Sequence, residues 1–216
     1  MNKKILVCGR GISLSFIDNP ILQQDYDYII LMNEFNLFTK QCKKVSNFLK
    51  NKPIIQFVNI TELGLDKEFL SNYDIQKIYV TRLVPNGASS WWRESRKARG
   101  AERHGRVCYH PSDRLEDYMH IVENTVDVTS LYAILDLQAD DITFIGVEFY
   151  ENGYYLDHSE PDYLEWDQEE QQKVINRIKG SQSKIVSLFP NIKFTYITNS
   201  TFDPKLENCN IIKIGA

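Results

Sequence analysis

The sequence predicts one α/β domain built on a mostly parallel sheet of about six strands, with helices packed on both faces. Three observations predict it: short β-branched apolar runs recur along the chain, helical patterns lie between the later runs, and a glycine-rich turn follows the first run directly. The length of 216 residues suits a single domain spanning 1–216 with a well-buried core.

Lys4 to Cys8 is apolar, β-branched and closed by Gly9-Arg10-Gly11, the pattern of a buried parallel strand. Runs of the same kind are Tyr28 to Met32, Pro53 to Val58, Ile75 to Val80, Ile142 to Gly146 and Ile192 to Ile197. Val126, Thr129, Leu131, Tyr132, Ile134 and Leu135 share one broad apolar face, which predicts a helix leading into the strand at Ile142. From Asp162 the chain is polar and acidic. It then places Val174, Ile175, Ile178, Ile185, Val186 and Leu188 at helical spacing until Pro190 stops the helix after Phe189. Strands that alternate with helices in this way require crossovers, and hence parallel pairing.

Two stretches break the alternation. Residues 86–113 hold Trp91-Trp92-Arg93, Arg96, Lys97, Arg99, Arg103 and Arg106, and residues 150–166 are rich in Tyr, Asp and Glu. Long excursions inside a small domain serve as lids or binding loops.

The formal net charge of −4 argues against a protein held to nucleic acid by its overall field. Cys8, Cys42, Cys108 and Cys209 are scattered without a CxxC pair, and Met1 is followed by Asn-Lys-Lys and then a core strand. Reduced thiols in a cytoplasmic protein follow, and no apolar run approaches the roughly 20 residues of a membrane span. The expected protein is soluble or peripheral to a membrane.

A Gly-x-Gly turn at the C-terminal end of a parallel strand lets backbone N–H groups approach a phosphate. Here it reads Gly9-Arg10-Gly11-Ile12-Ser13-Leu14, without the third glycine of the dinucleotide fingerprint. Asp25 and Asp27 also lie too close to the turn to serve as its ribose carboxylate. Polar residues fall at other strand ends on the same edge: Asn33-Glu34-Phe35, Asn59, and the segment Ile145-Gly146-Val147-Glu148-Phe149-Tyr150-Glu151-Asn152-Gly153.

Together these segments resemble the bacterial sialyltransferases of glycosyltransferase family 42. Those chains open with a Gly-Asn-Gly-Pro-Ser-Leu turn, follow it with an Asn-Gln-Phe strand end, and later carry Ser-Gly-Ile-Asp-Phe-Tyr-x-Asn-Gly. The resemblance covers about the first sixty residues and the stretch 125–153. It implies a modified Rossmann-type domain, a CMP-sialic acid or related nonulosonic acid as donor, inverting transfer to a glycan or lipid-linked glycan hydroxyl, and no metal or other cofactor. Enzymes of this kind are often tetrameric, so a homo-oligomer is implied as well.

The resemblance also implies roles. Gly9 and Gly11 would line the donor phosphate with Ser13 beside it, and Asn33 and Asn59 would bond the nucleotide. Gly146, Val147 and Glu148 would border cytidine and ribose, and Tyr150 would offer its hydroxyl to the departing phosphate. His158, in a His-Ser pair, would be the base; Asp157, Glu160 and Asp162 around it would raise its pKa. Tyr154 and Tyr155 would pack on the sugar. Arg10 stands where the family has asparagine; its guanidinium either pairs with the phosphate or turns outward into solvent. Where the family has Arg-x-Thr-Ser-Gly this chain reads Glu123-Asn124-Thr125-Val126-Asp127, so only Thr125 is kept.

Other readings stand beside this one. The acidic cluster at 157–162 suits a divalent cation, although no Asp-x-Asp ends a strand. The Trp91 to Arg106 stretch could stack on single-stranded nucleic acid, or close as a lid over an anionic substrate. A nucleotide-binding module without transfer is the remaining alternative.

Overall fold

The computed structural model describes residues 2–33, 43–59, 72–81, 107–108, 113–152 and 167–214. Its strands are β1 (Lys4–Cys8), β2 (Tyr28–Met32), β3 (Ile54–Asn59), β4 (Ile75–Thr81), β5 (Val107–Cys108), β6 (Asp141–Ile145), β7 (Lys193–Ile197) and β8 (Cys209–Ile212). They form one sheet in the order β5-β4-β3-β2-β1-β6-β7-β8. Every neighbouring pair is parallel.

The six strands expected from the sequence are present, and two more extend the sheet to eight. β5 lies within the 86–113 excursion, so that stretch returns to the sheet edge. β8 is only partly buried and carries the exposed Asn210, which hides it from a search for apolar runs.

Each strand sends alternate side chains to opposite faces. In β1, Leu6 and Cys8 join a core completed by Leu14 and Leu22 from 3-10 turns at Ile12–Phe16 and Pro20–Leu22, by Ile17 just after the first of these, and by Val45 and Leu49 of α1 (Lys43–Leu49). Ile5 and Val7 join the other core. There Leu131 and Ile134 of α2 (Thr125–Leu135) and Ile178, Ile185 and Val186 of α3 (Gln168–Leu188) cover the sheet. The helical faces expected from sequence are therefore filled except at Leu188, which lies at the last residue of α3 and is 51% exposed, and α1 is an addition to them.

Local signals set the helix ends. Asp167 caps α3 by accepting the Glu170 amide at 2.8 Å, and Glu169 and Glu170 place negative charge in its first turn. At the other end Asn208 Nδ2 donates to the carbonyls of Val186 and Phe189, each at 3.1 Å. That bond ties the approach to β8 onto α3 and satisfies carbonyls the helix cannot pair itself.

The strand order reverses at β1, which has β2 on one side and β6 on the other. Open α/β sheets bind ligands in the crevice outside such a reversal, at the C-terminal strand ends. Among the described residues no helix is long and apolar enough to cross a membrane.

Phe144 of β6 is fully buried and stacks on Tyr196 of β7, with ring centroids 4.4 Å apart and planes 5° from parallel. Phe144→Ala should lower unfolding free energy by about 3–5 kcal/mol in urea titrations, and a loss below about 1 kcal/mol would show that the pair carries no such weight.

Candidate active site at the β1–β6 crevice

The turns that leave β1 and β6 lie against each other, backbone on backbone. Gly9 N donates to Ile145 O at 2.7 Å and Gly11 N donates to Gly146 O at 2.8 Å. A Cβ on Gly9 would stand 2.2 Å from Gly146 O, and one on Gly11 would stand 2.3 Å from Glu148 Cγ. Gly146 itself has φ +74°, the left-handed region, and its own Cβ would meet Gly9 O at 2.2 Å.

Gly9 and Gly11 border the crevice, but their amides are spent on β6, and the missing side chains make room for a neighbouring backbone. Ser13 is fully buried beneath the turn: its Oγ accepts the Gly146 amide at 2.8 Å and its own amide donates to Glu148 Oε1 at 3.1 Å. It does not line the crevice.

Glu148, 4% exposed, ties three strand ends together. Besides the Ser13 amide it receives the Asn199 amide at 3.0 Å and lies 2.9 Å from the Thr198 hydroxyl, both just beyond β7. Asn152 Nδ2 reaches it at 3.4 Å. Its carboxylate is thus part of the frame of the site as well as of its wall.

The crevice has a cavity volume of about 120 Å³ and opens to solvent. Gly9, Arg10, Gly11, Asn33, Thr125, Gly146, Val147, Glu148 and Tyr150, all singled out from sequence, line it together. Met32, Asn124, Val126, Phe149, Asn152 and Ile178 also line it. Sequence reasoning assigned them no role at the site, although Phe149 and Asn152 stood inside the 145–153 segment that pointed to it, and Asn124 and Val126 inside 123–127. Asn59 ends β3 on the same edge, but its side chain lies outside the described residues, as do His158 and Tyr155 altogether. Most of the basic excursion and the 157–162 acidic cluster lie outside them too. Among the described residues no group of three His, Cys, Asp or Glu side chains is placed to hold a metal ion.

Each wall has its own support. Asn33 has φ +66°, its amide donates to Phe57 O at 2.6 Å and its carbonyl accepts Gln56 Nε2 at 3.1 Å. Its side-chain oxygen is buried without a partner among the described residues, a cost that a ligand donor would relieve. Thr125 begins α2, where Asn124 Oδ1 accepts the Val126 amide at 2.8 Å. Asp127 Oδ2 accepts the amides of Glu123 at 2.7 Å and Asn124 at 3.2 Å. The Asp127 carboxylate, wholly buried, is also bonded by Ser181 Oγ at 2.8 Å and by Gln182 Nε2, and Gln182 in turn accepts the Tyr196 hydroxyl at 2.7 Å. Burial raises the pKa of Asp127, and the hydrogen bonds to Gln182, Glu123, Ser181 and Asn124 oppose that rise.

The last wall is the turn after β6. Phe149 and Tyr150 have φ +53° and +62°, a conformation that costs a non-glycine residue of order 1–3 kcal/mol. Phe149 repays part of this through burial, its ring 4.7 Å from Phe202 and 6.3 Å from Tyr196. Glu151 accepts Lys179 Nζ at 2.5 Å, the Thr201 hydroxyl at 2.7 Å and the Thr201 amide at 2.5 Å. Burial pushes the Glu151 pKa up, but these hydrogen bonds and the Lys179 charge outweigh it and hold the carboxyl below its ordinary value.

The fold resembles that of solved sialyltransferases. It is similar to a point variant of the sialyltransferase CST-II in complex with CMP, with TM-score 0.59 and 17% identity over 95% of this chain and 85% of that one. It is likewise similar to the sialyltransferase CST-II in complex with trisaccharide acceptor and CMP, with TM-score 0.56 and 17% identity over 95% of this chain and 83% of that one. No family model matches the sequence, and no curated protein matches it.

Two outcomes test the frame. Gly9→Ala should cost about 1–3 kcal/mol in urea unfolding, because the Gly146 carbonyl has to retreat; no loss would mean that the turns separate freely. Because its folded pKa is lowered, Glu151 contributes stability above the ordinary value near 4.5, and the contribution fades as pH falls through the lower folded value. The melting temperature of the parent chain should therefore exceed that of Glu151→Gln at neutral pH and converge on it in acid, and a gap unchanged with pH would contradict the assignment.

Proposed function

We propose that the protein is a sialyltransferase-like glycosyltransferase that moves a nonulosonic acid from a CMP-activated donor to a glycan hydroxyl with inversion. The observation that carries this reading is the convergence of Gly9 to Gly11, Asn33, Thr125, Gly146 to Glu148 and Tyr150 on one crevice at the strand-order reversal. The fold likeness to a sialyltransferase solved in complex with CMP supports it.

In this reading the donor phosphate lies against Arg10, whose half-buried guanidinium brings positive charge to the wall. Asn33 and Asn59 bond the nucleoside. The acceptor oxygen attacks the anomeric carbon from the side opposite the phosphate, and its proton passes to His158. The bond from the anomeric carbon to the phosphate oxygen breaks, and CMP departs with the electron pair, stabilised by a hydrogen bond from the Tyr150 hydroxyl. Tyr155 packs on the sugar, and the reaction runs without metal.

A nucleotide-binding module without transfer is the second reading. It is favoured by the start of α2, where the Asn124 and Asp127 side chains are committed to backbone amides in place of a donor sugar.

Calorimetry with CMP, CDP, UDP and NAD separates these readings. CMP binding that survives EDTA is expected, and metal-dependent UDP binding or NAD binding alone would overturn the assignment. Donor turnover should fall by about 10²-fold or more in Tyr150→Phe while CMP affinity stays within about twofold. CMP binding with no turnover by the parent chain would select the binding module.

A further inference from the structure

We propose that Glu151 and Lys179 form a positioning pair that sets where the Tyr150 hydroxyl stands; the inference rests on the transferase reading for what that hydroxyl does. Tyr150 lines the crevice from a turn that its backbone adopts at a cost, because φ is positive at both Phe149 and Tyr150. Left to itself, such a turn relaxes and carries its side chains with it.

The turn is held from both sides. Before Tyr150, the Phe149 ring is buried against Phe202 and Tyr196. After it, the Glu151 carboxylate is locked by Lys179 Nζ of α3 and by both the hydroxyl and the amide of Thr201. Lys179 Nζ also reaches the Thr201 hydroxyl at 2.7 Å, closing a triangle of α3, the β6 turn and the segment after β7. At Tyr150 itself, the carbonyl accepts Gln171 Nε2 at 3.3 Å, a second tie to α3.

The pair is well shielded for an ion pair, with side-chain exposures of 15% for Lys179 and 19% for Glu151. Its geometry therefore resists the screening that weakens surface pairs. Neither residue lines the crevice, so each acts on the reacting atoms only through the turn. Misplacement of a reacting group by about 1 Å costs about a hundredfold in rate, which is how a distant pair would register in catalysis.

The test combines a spectroscopic and a kinetic readout on the full chain. With 3-fluorotyrosine at position 150, the fluorine resonance should move or broaden beyond its linewidth in Lys179→Met and return to the parent position in Lys179→Arg. Melting temperatures of both should stay within about 4 °C of the parent. On CMP-sialic acid, Lys179→Met should lower kcat about ten- to a hundredfold with donor KM within about twofold, and Lys179→Arg should recover most of the loss.

Should Lys179→Met fail to fold, Thr201→Val takes its place, since it removes one corner of the triangle and keeps the ion pair. It should displace the resonance in the same direction by less. A resonance unmoved in the variant that folds overturns the proposal, as does a kcat loss matched by collapse of donor affinity and melting temperature. A parent chain without turnover overturns the transferase reading, while the fluorine resonance still decides the pair.

Discussion

The contact of the Gly9 and Gly146 backbones is the constraint on which the site depends. Two strand ends in one sheet lie a fixed distance apart, set by the ladder between β1 and β6. Their turns fit side by side only when each lacks a side chain at the crossing. Once that holds, Ser13 reaches the Gly146 amide, Glu148 reaches the Ser13 amide, and the ends of β1, β6 and β7 become one body. The crevice is what remains outside that body.

Two buried carboxylates show how the frame is stiffened. Glu148 and Asp127 are both held by several hydrogen-bond donors from different segments. Burying a carboxylate is costly, and in return it gathers directional bonds that tolerate few alternative arrangements. Glu148 fixes the β1 and β7 ends, and Asp127 fixes the start of α2 against α3. Tyr150 and Arg10 lie on the crevice wall beside this frame.

Much of the fold was legible because its central strands are buried on both faces and so read as unbroken apolar runs. β5 is a two-residue strand and β8 has polar Asn210 within it, so neither gives such a run. The site was legible as a set of polar and glycine residues at strand ends, and those residues do share one crevice. The work of individual residues was less so. A Gly-x-Gly turn looks the same whether it makes room for a phosphate or for Gly146, whose place in the sequence is remote. Ser13 gives no sign in sequence that its hydroxyl is taken. The contributions of Met32 and Ile178 to the wall follow from packing alone, which no local pattern encodes.

The ladder between β1 and β6 also bears on how the molecule comes to be made. β1 is synthesised well before β6, yet Lys4 pairs with Asp141, and the Glu148 carboxylate on its flank waits for the amide of Asn199. A nascent chain can pair β1 with β2 early, but the other edge of β1 stays open until β6 has emerged. Pairings of such long sequence separation form slowly, and an open apolar edge invites wrong partners meanwhile. The crevice is thus late to close, and its frame is incomplete until Asn199 has been added.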